Sequence, residues 1–206
     1  MEMAARPIGV FDSGVGGLSI LEEIHSQLPD ENVIYLADQE WAPYGSKSLD
    51  DVRARSVAVS AELIGRGAKL IVVACNSASA AALHHLREVF PETPFVGMEP
   101  ALKPAAAHTD KGVIGVLATE TTFQGELYAS VLDRHTDGVE VIEVAGKRLA
   151  MLVEEGRLDE AKVDLEVLLR PMLDAGIDAL VLGCTHYPFL ADQIRDVAGP
   201  DLRLVD

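Results

Sequence analysis

The feature that most constrains the fold is an internal repeat of two short apolar segments. Ile8–Ser13 is echoed by Ile114–Thr119, and Leu70–Asn76 is echoed by Ala179–Thr185, with nearly the same offset in both pairs. Apolar strands resemble one another by chance, but shared order and spacing indicate two similar halves. Each half then contains one strand that ends in Ser or Thr and one that ends in Cys.

Short runs rich in Val, Ile and Leu alternate with longer stretches rich in Ala, Leu and Glu. We predict strands at Ile8–Phe11, Val33–Ala37, Leu70–Ala74, Phe95–Gly97, Val113–Leu117, Val139–Val144, Ala179–Gly183 and Leu202–Val205. We predict helices at Gly17–Gln27, Asp50–Arg66, Ser77–Val89, Phe123–Asp133, Lys147–Glu155, Asp159–Ala175 and Pro188–Val197. This alternation predicts an α/β fold of two similar open, mostly parallel sheets that face each other across a cleft. The predicted domains are residues 1–98 and 99–206, joined near Gly97–Ala107.

Composition limits the classes of binding partner and the cellular compartment that we expect for this protein. Lys and Arg number 17 against 33 Asp and Glu, a net charge of -16, so we expect no nucleic acid and no anionic membrane as partner. The two cysteines form no Cys-x-x-Cys pair, and Met1–Arg6 carries no signal-peptide pattern. We therefore expect a reduced, cytoplasmic protein with no membrane-spanning segment.

Each cysteine ends an apolar strand and is followed by polar residues and a predicted helix. These polar residues are Asn76 and Ser77 after Cys75, and Thr185 and His186 after Cys184. A thiol beside a helix N-terminus meets the positive end of the helix dipole, which favours the thiolate. We predict Ser77 as the cap of its helix. Since ligands bind beyond the carboxyl ends of parallel strands, both cysteines should reach one cleft. The alternative is that each is a small buried hydrophobe.

Two thiols on opposite sides of a cleft suit racemisation. That reaction removes a proton from one face of a carbon and returns a proton to the other face, so it needs one thiolate and one thiol. The substrate zwitterion also needs donors for its carboxylate and an acceptor for its ammonium group. Candidate donors are Asn76, Ser77, Thr185 and His186, beside exposed helical amides.

Asp12 and Ser13 end the first predicted strand. Asp12 could accept from the ammonium group or orient Cys75, and it could also cap the glycine loop that follows. His186 is either a loop histidine or a proton relay for Cys184. Both interpretations stay open for each residue.

Other chemistries fit the residues less well. The Gly14-Val15-Gly16 run followed by Asp38 resembles a nicotinamide-binding pattern, but Ser19 stands where a third glycine is expected. Cys184 and His186 lack companion ligands at a metal-binding spacing, so we predict no metal. The Gly183-Cys184 pair is not a nucleophile elbow, because His186 occupies the position that needs glycine.

Several motifs resemble the glutamate racemases, within the cofactor-independent, two-cysteine aspartate/glutamate racemase family. The strongest matches are Phe11–Leu18, Pro43–Gly45, Cys75–Ser79 and Gly183–Pro188. Weaker matches are Gly97–Pro100, Ala118–Thr122 and Leu152–Glu154. The resemblance extends through the whole chain, and the Gly-Cys-Thr-His-Tyr-Pro run is highly specific.

The resemblance implies interconversion of L- and D-glutamate without cofactor or metal, with D-glutamate used for peptidoglycan. It implies Cys75 and Cys184 as catalytic residues. It also implies a set of residues that contact substrate or support the thiols: Asp12, Ser13, Tyr44, Gly45, Asn76, Ser77, Thr185 and His186. Second-tier candidates are Thr119, Thr122 and Glu154. Glutamate rather than aspartate follows only from the family.

Two positions depart from the family pattern. Ser77 stands where threonine is more usual, which keeps the hydroxyl. Family members usually continue beyond the equivalent of Leu204-Val205-Asp206 and return to the first domain, so the final strand is expected to lead back there. The alternatives are a racemase for another acidic amino acid such as aspartate, or an inactive, truncated protein that binds an acidic amino acid. Assembly as a homodimer stays open.

Overall fold

The computed structural model describes residues 6–206, which contain two parallel sheets of four strands each. The first sheet, in the order β2-β1-β3-β4, consists of β1 (Ile8–Asp12), β2 (Val33–Ala37), β3 (Leu70–Val73) and β4 (Phe95–Gly97). The second, in the order β6-β5-β7-β8, consists of β5 (Val113–Ala118), β6 (Glu140–Ala145), β7 (Ala179–Gly183) and β8 (Arg203–Val205). The shared order confirms the predicted class of two similar parallel-sheet α/β units.

Helices connect the strands. They are α1 (Leu18–Gln27), α2 (Leu49–Gly65), α3 (Asn76–Val89), α4 (Leu102–His108), α5 (Glu120–Gln124), α6 (Glu126–His135), α7 (Leu149–Glu154), α8 (Leu158–Leu168), α9 (Arg170–Asp174) and α10 (Ala191–Ala198). Short 3₁₀ turns cover Gln39–Trp41, Tyr44–Ser46 and Tyr187–Leu190. The sequence did not predict α4, which lies in the segment expected to join the halves. The predicted helix Asp159–Ala175 is divided in two, with Pro171 in the first turn of α9, because proline lacks the amide that a continuous helix needs.

One apolar core joins the two halves. It contains Phe11 and Val73 from the first sheet and Ile114 and Val181 from the second, with α2, α3, α5 and α6 contributing residues. The outer face of the first sheet packs against α1, and the outer face of the second packs against α7 to α10. The molecule is therefore layered, with helices between the sheets and outside them.

The register of the inner strands determines which residues meet at the carboxyl edge. β1 and β3 pair Phe11 with Val73, and the amide of Ala74 donates to the carbonyl of Phe11 at 2.8 Å. β5 and β7 pair Ala118 with Gly183 in the same way. Asp12 therefore leaves the first sheet beside Cys75, and Thr119 leaves the second beside Cys184.

The expected return of the final strand to the first domain is wrong. β8 pairs with β7 in the second sheet, where Leu204 lies opposite Leu180 and both pack into the outer core of that sheet. The domain boundary at residues 98 and 99 stays a prediction. Every helix within residues 6–206 is too short or too polar to cross a bilayer.

Candidate active site

Cys75 lies at the junction between β3 and α3. It is the N-cap residue of α3 and is 4% exposed, with its sulfur 3.9 Å from the hydroxyl of Ser13. Burial, together with the negative charge of Asp12 and of Cys184, raises the pKa of the Cys75 thiol, although the amide of Ala78 opposes this. The surroundings therefore favour the neutral thiol at this position.

Asp12 is fully buried at the end of β1. Its two carboxylate oxygens accept from the amides of Ser13 and Gly17, each at 2.7 Å. Burial raises the pKa of Asp12, and the charge of His186 and the bonds from Cys75, Gly17 and Ser13 act in the opposite direction. Asp12 thus holds the glycine loop through the amides of Ser13 and Gly17 and lies beside the Cys75 thiol, although the N-cap residue of α1 is Gly17.

Cys184 follows β7 and has a histidine beside it. The Nδ1 atom of His186 lies 3.7 Å from the sulfur, and its Nε2 atom lies 2.5 Å from Oε1 of Glu154. Burial acts to lower the pKa of His186, but Cys184, Asp12 and Glu154 together raise it to about 10. A protonated imidazole next to a cysteine stabilises negative charge on the sulfur.

Glu154 also connects the two halves. The same Oε1 atom accepts from the amide of Val15 at 2.7 Å, and Val15 belongs to the glycine loop of the first half. The hydroxyl of Thr185 donates to Asp12 at 3.4 Å across the seam, the boundary where the two halves meet. The two sulfur sites are therefore joined by polar contacts.

Ser77 does not cap α3, so that prediction is wrong. The helix begins at Asn76, which places Ser77 inside the first turn. Its hydroxyl lies 2.9 Å from that of Thr119, which in turn lies 2.9 Å from the hydroxyl of Thr122. A chain of three hydroxyls thus crosses from the first half to the second.

Tyr44 and Gly45 form a turn at the same seam. The Tyr44 hydroxyl donates to Asp38 at 2.5 Å, so it is already occupied within its own half. A Cβ atom on Gly45 would lie 2.5 Å from Thr119, so only glycine allows this close approach. Oγ1 of Thr121 donates to the carbonyls of Tyr44 at 3.2 Å and Lys47 at 2.9 Å, which fixes the turn against the second half.

A cavity of about 60 Å³ reaches the site and is lined in part by Asn76, Cys184 and Thr185. A groove of about 400 Å³ lies elsewhere, between Leu49 and Gly125, and contains no cysteine. The smaller space marks the Cys184 side of the candidate site, because Cys184 lines it, whereas Cys75 does not.

The structure brings the predicted residues together in three groups. One group surrounds Cys75, one surrounds Cys184, and the hydroxyl chain lies between them. Sequence reasoning missed Arg55 and Thr121, and it considered Asp38 only as part of a nicotinamide-binding pattern. Both oxygens of Asp38 are occupied by Arg55 and Tyr44. Its position at the end of β2 was the signal that could have placed it near the site.

Comparison with known proteins gives the family. The Asp/Glu/Hydantoin racemase family matches residues 8–206. A glutamate racemase of Roseiflexus is 54% identical over 100% of this chain and 76% of its own length. Crystal structures of glutamate racemases from Bacillus anthracis and Escherichia coli superpose with TM-scores of 0.87 and 0.86, at 36% and 39% identity. Each alignment covers 98% of this chain and 77% of the other. The chain therefore belongs to the Asp/Glu/Hydantoin racemase family and is an amino-acid racemase, an isomerase.

Proposed function

We propose that this racemase interconverts L- and D-glutamate, with Cys75 and Cys184 acting on opposite faces of the α-carbon. The observation that carries the proposal is the equivalent placement of two free, buried cysteines at strand ends of the two halves. A negative charge on Cys184 helps to raise the pKa of Cys75, so the two sulfurs are near enough for ionisation of one to oppose ionisation of the other. This placement supports one shared substrate between two thiols.

The different surroundings of the sulfurs support a resting state with one thiol and one thiolate. Cys75 is kept neutral by burial and by Asp12, whereas Cys184 lies beside the protonated ring of His186. Cys184 would then remove the α-proton of L-glutamate, and Cys75 would donate its proton to the opposite face. The product is D-glutamate with Cys184 as thiol and Cys75 as thiolate, and the reverse reaction restores the first state.

Glu154 supports this division of roles by holding the imidazole. When Nε2 of His186 donates to Glu154, Nδ1 faces the sulfur of Cys184. A carboxylate in this position fixes the ring and stabilises its charge. Glu154 and His186 would therefore act as a pair on the Cys184 side.

The carboxylate of the substrate would bind at the start of α3. Helical amides without intrahelical partners point outward there, and Asn76 and Thr185 line the adjacent cavity. The choice of glutamate rests on the relatives, which are named glutamate racemases, and on the Escherichia coli enzyme solved in complex with L-glutamate. Cytoplasmic supply of D-glutamate for peptidoglycan belongs to the same proposal.

The test is to follow the circular dichroism of purified protein with L-glutamate and, in parallel, with L-aspartate. We expect the glutamate signal to decay to zero without added pyridoxal phosphate or metal, with deuterium entering the α-position in D₂O. A double variant, Cys75→Ala with Cys184→Ala, prepared identically, controls for contaminating racemase. A stable glutamate signal, or faster decay with aspartate, would contradict the proposal.

A further inference from the structure

Arg55 lies outside the residues assigned to the site, yet it makes a two-point ion pair with Asp38 near it. Projecting from α2, its guanidinium binds both carboxylate oxygens of Asp38, with Nε at 2.7 Å from Oδ2. Asp38 is 4% exposed, so its charge needs a partner. Two-point binding of a carboxylate by arginine fixes direction as well as distance.

Asp38, held in place by Arg55, positions the turn at Tyr44–Ser46 by accepting a hydrogen bond from Tyr44. The fully buried Tyr44 donates its hydroxyl to the same Oδ2 atom that Arg55 binds. Burial opposes ionisation of Asp38, but the bonds from Arg55 and Tyr44 lower its pKa. The carboxylate therefore stays charged and keeps accepting from the tyrosine.

The turn held in this way forms part of the seam beside the hydroxyl chain. Gly45 contacts Thr119, which is bonded to Ser77 in the first turn of α3, and Thr121 binds the carbonyls of Tyr44 and Lys47. A shift of the Tyr44 ring would therefore move the backbone carbonyls that accept from Thr121 of the second half.

Trp41 lies beside Arg55 and Lys47 and can serve as a fluorescence probe of this arrangement. It is the single tryptophan of the chain, and its ring centroid lies 5.3 Å from the Arg55 guanidinium carbon and 5.6 Å from Nζ of Lys47. Trp41 is 36% exposed and lies just before the turn. Its fluorescence should therefore report whether Arg55 is in place.

We propose that Arg55 is a positioning residue for substrate binding, acting through Asp38 and Tyr44 on the backbone of residues 44–47. It touches neither thiol, so its loss should weaken substrate binding and leave proton transfer largely intact. The assay with glutamate rests on the proposed function, whereas the tryptophan measurement does not.

The experiment compares Arg55→Met with Arg66→Met. Arg66 follows α2 and pairs with Glu62 in solvent, so it is the matched control. We expect Arg55→Met to raise KM by about tenfold, the loss expected from one charged hydrogen-bond pair, with kcat within about threefold of wild type. Arg55→Lys should recover part of the loss, because lysine restores the charge without the two-point geometry. Acrylamide should quench Trp41 more strongly in Arg55→Met only.

The outcomes separate the two proposals. Unchanged KM and unchanged quenching in Arg55→Met would overturn the positioning role, and so would a fall in kcat at constant KM. If Arg55→Met fails to fold, Tyr44→Phe removes the hydroxyl and leaves the Asp38–Arg55 pair, and a wild-type KM there would overturn the role equally. Wild-type protein that racemises neither enantiomer of glutamate would overturn the proposed function, and the quenching comparison would still test Arg55.

Discussion

The two halves have the same strand order, but the groups around their cysteines carry opposite charge. Cys75 has the carboxyl group of Asp12 for a neighbour, and Cys184 has the imidazole of His186. Both cysteines follow the third strand in the order of their sheet, β3 in the first sheet and β7 in the second. A repeated scaffold thus supplies equivalent positions, and a few substituted side chains make the two positions chemically unequal.

The largest expected effect comes from removing either sulfur. Cys75→Ala or Cys184→Ala should reduce racemisation by about a thousandfold or more, because one face of the α-carbon loses its proton donor or acceptor. Cys→Ser should be nearly as damaging, since an alkoxide forms much less readily than a thiolate. Circular dichroism measures the loss.

The same variants show which face each sulfur serves. One-sided elimination of HCl from β-chlorinated glutamate needs only the surviving thiolate. With the roles proposed above, Cys75→Ala should eliminate from the L-enantiomer and Cys184→Ala from the D-enantiomer. Identical enantiomer preferences, or full racemisation without one sulfur, would break the comparison between the halves.

The next largest effect concerns the charged neighbours. His186→Asn should reduce kcat/KM for racemisation by about a hundredfold, equally in both directions because the enantiomers have equal free energy. The asymmetry appears in isotope effects. In His186→Asn the proton transfer at Cys184 is slowed, so the primary deuterium isotope effect should be larger for α-deuterated L-glutamate than for α-deuterated D-glutamate. In Asp12→Asn the effect should be larger for α-deuterated D-glutamate. Equal isotope effects for the two enantiomers in both variants would mean that His186 does not act specifically on Cys184, nor Asp12 on Cys75.

A third effect is on stability against pH. The pKa of His186 is raised from 6.5 to about 10, so the folded state binds its proton more tightly than the unfolded state does. This contribution is fully present below pH 6.5 and is lost as the pH rises toward 10. We expect a loss on the order of 5 kcal/mol in unfolding free energy across this window, absent in His186→Asn. Urea titrations at several pH values measure it, and parallel curves for both proteins would contradict it.

The smallest effect tests the likeness of the halves. Gly9 and Gly115 occupy equivalent positions in β1 and β5, where a Cβ atom would lie 2.7 Å from Ile71 and 2.9 Å from Ile177 respectively. Gly9→Ala and Gly115→Ala should each cost about 1–2 kcal/mol through overpacking. Gly65→Ala, which meets no atom within 4 Å, is the control and should be neutral or stabilising. If urea unfolding shows a loss of stability for only one of Gly9→Ala and Gly115→Ala, the two halves share their backbone fold but not their side-chain packing.

The strands and both cysteine positions could be predicted from sequence, because apolar runs and the residues that end them are local signals. Contacts between distant parts of the chain could not. Glu154 meets Val15 and Arg55 meets Asp38 only after the sheets form, and no local pattern encodes such pairs. The error at Ser77 has the same origin, since its hydroxyl is taken by Thr119 of the other half.

The cavity of about 60 Å³ beside Cys184 has a kinetic consequence. It has room for about two water molecules, whereas ligand pockets usually measure about 300–1,000 Å³. If the substrate binds between the two thiols as proposed, the contacts that join the halves, such as Glu154–Val15, Ser77–Thr119 and Thr121–Tyr44, would have to give way for it to enter. The frequency of such an opening would then set a ceiling on turnover, however fast the protons move once the halves have closed.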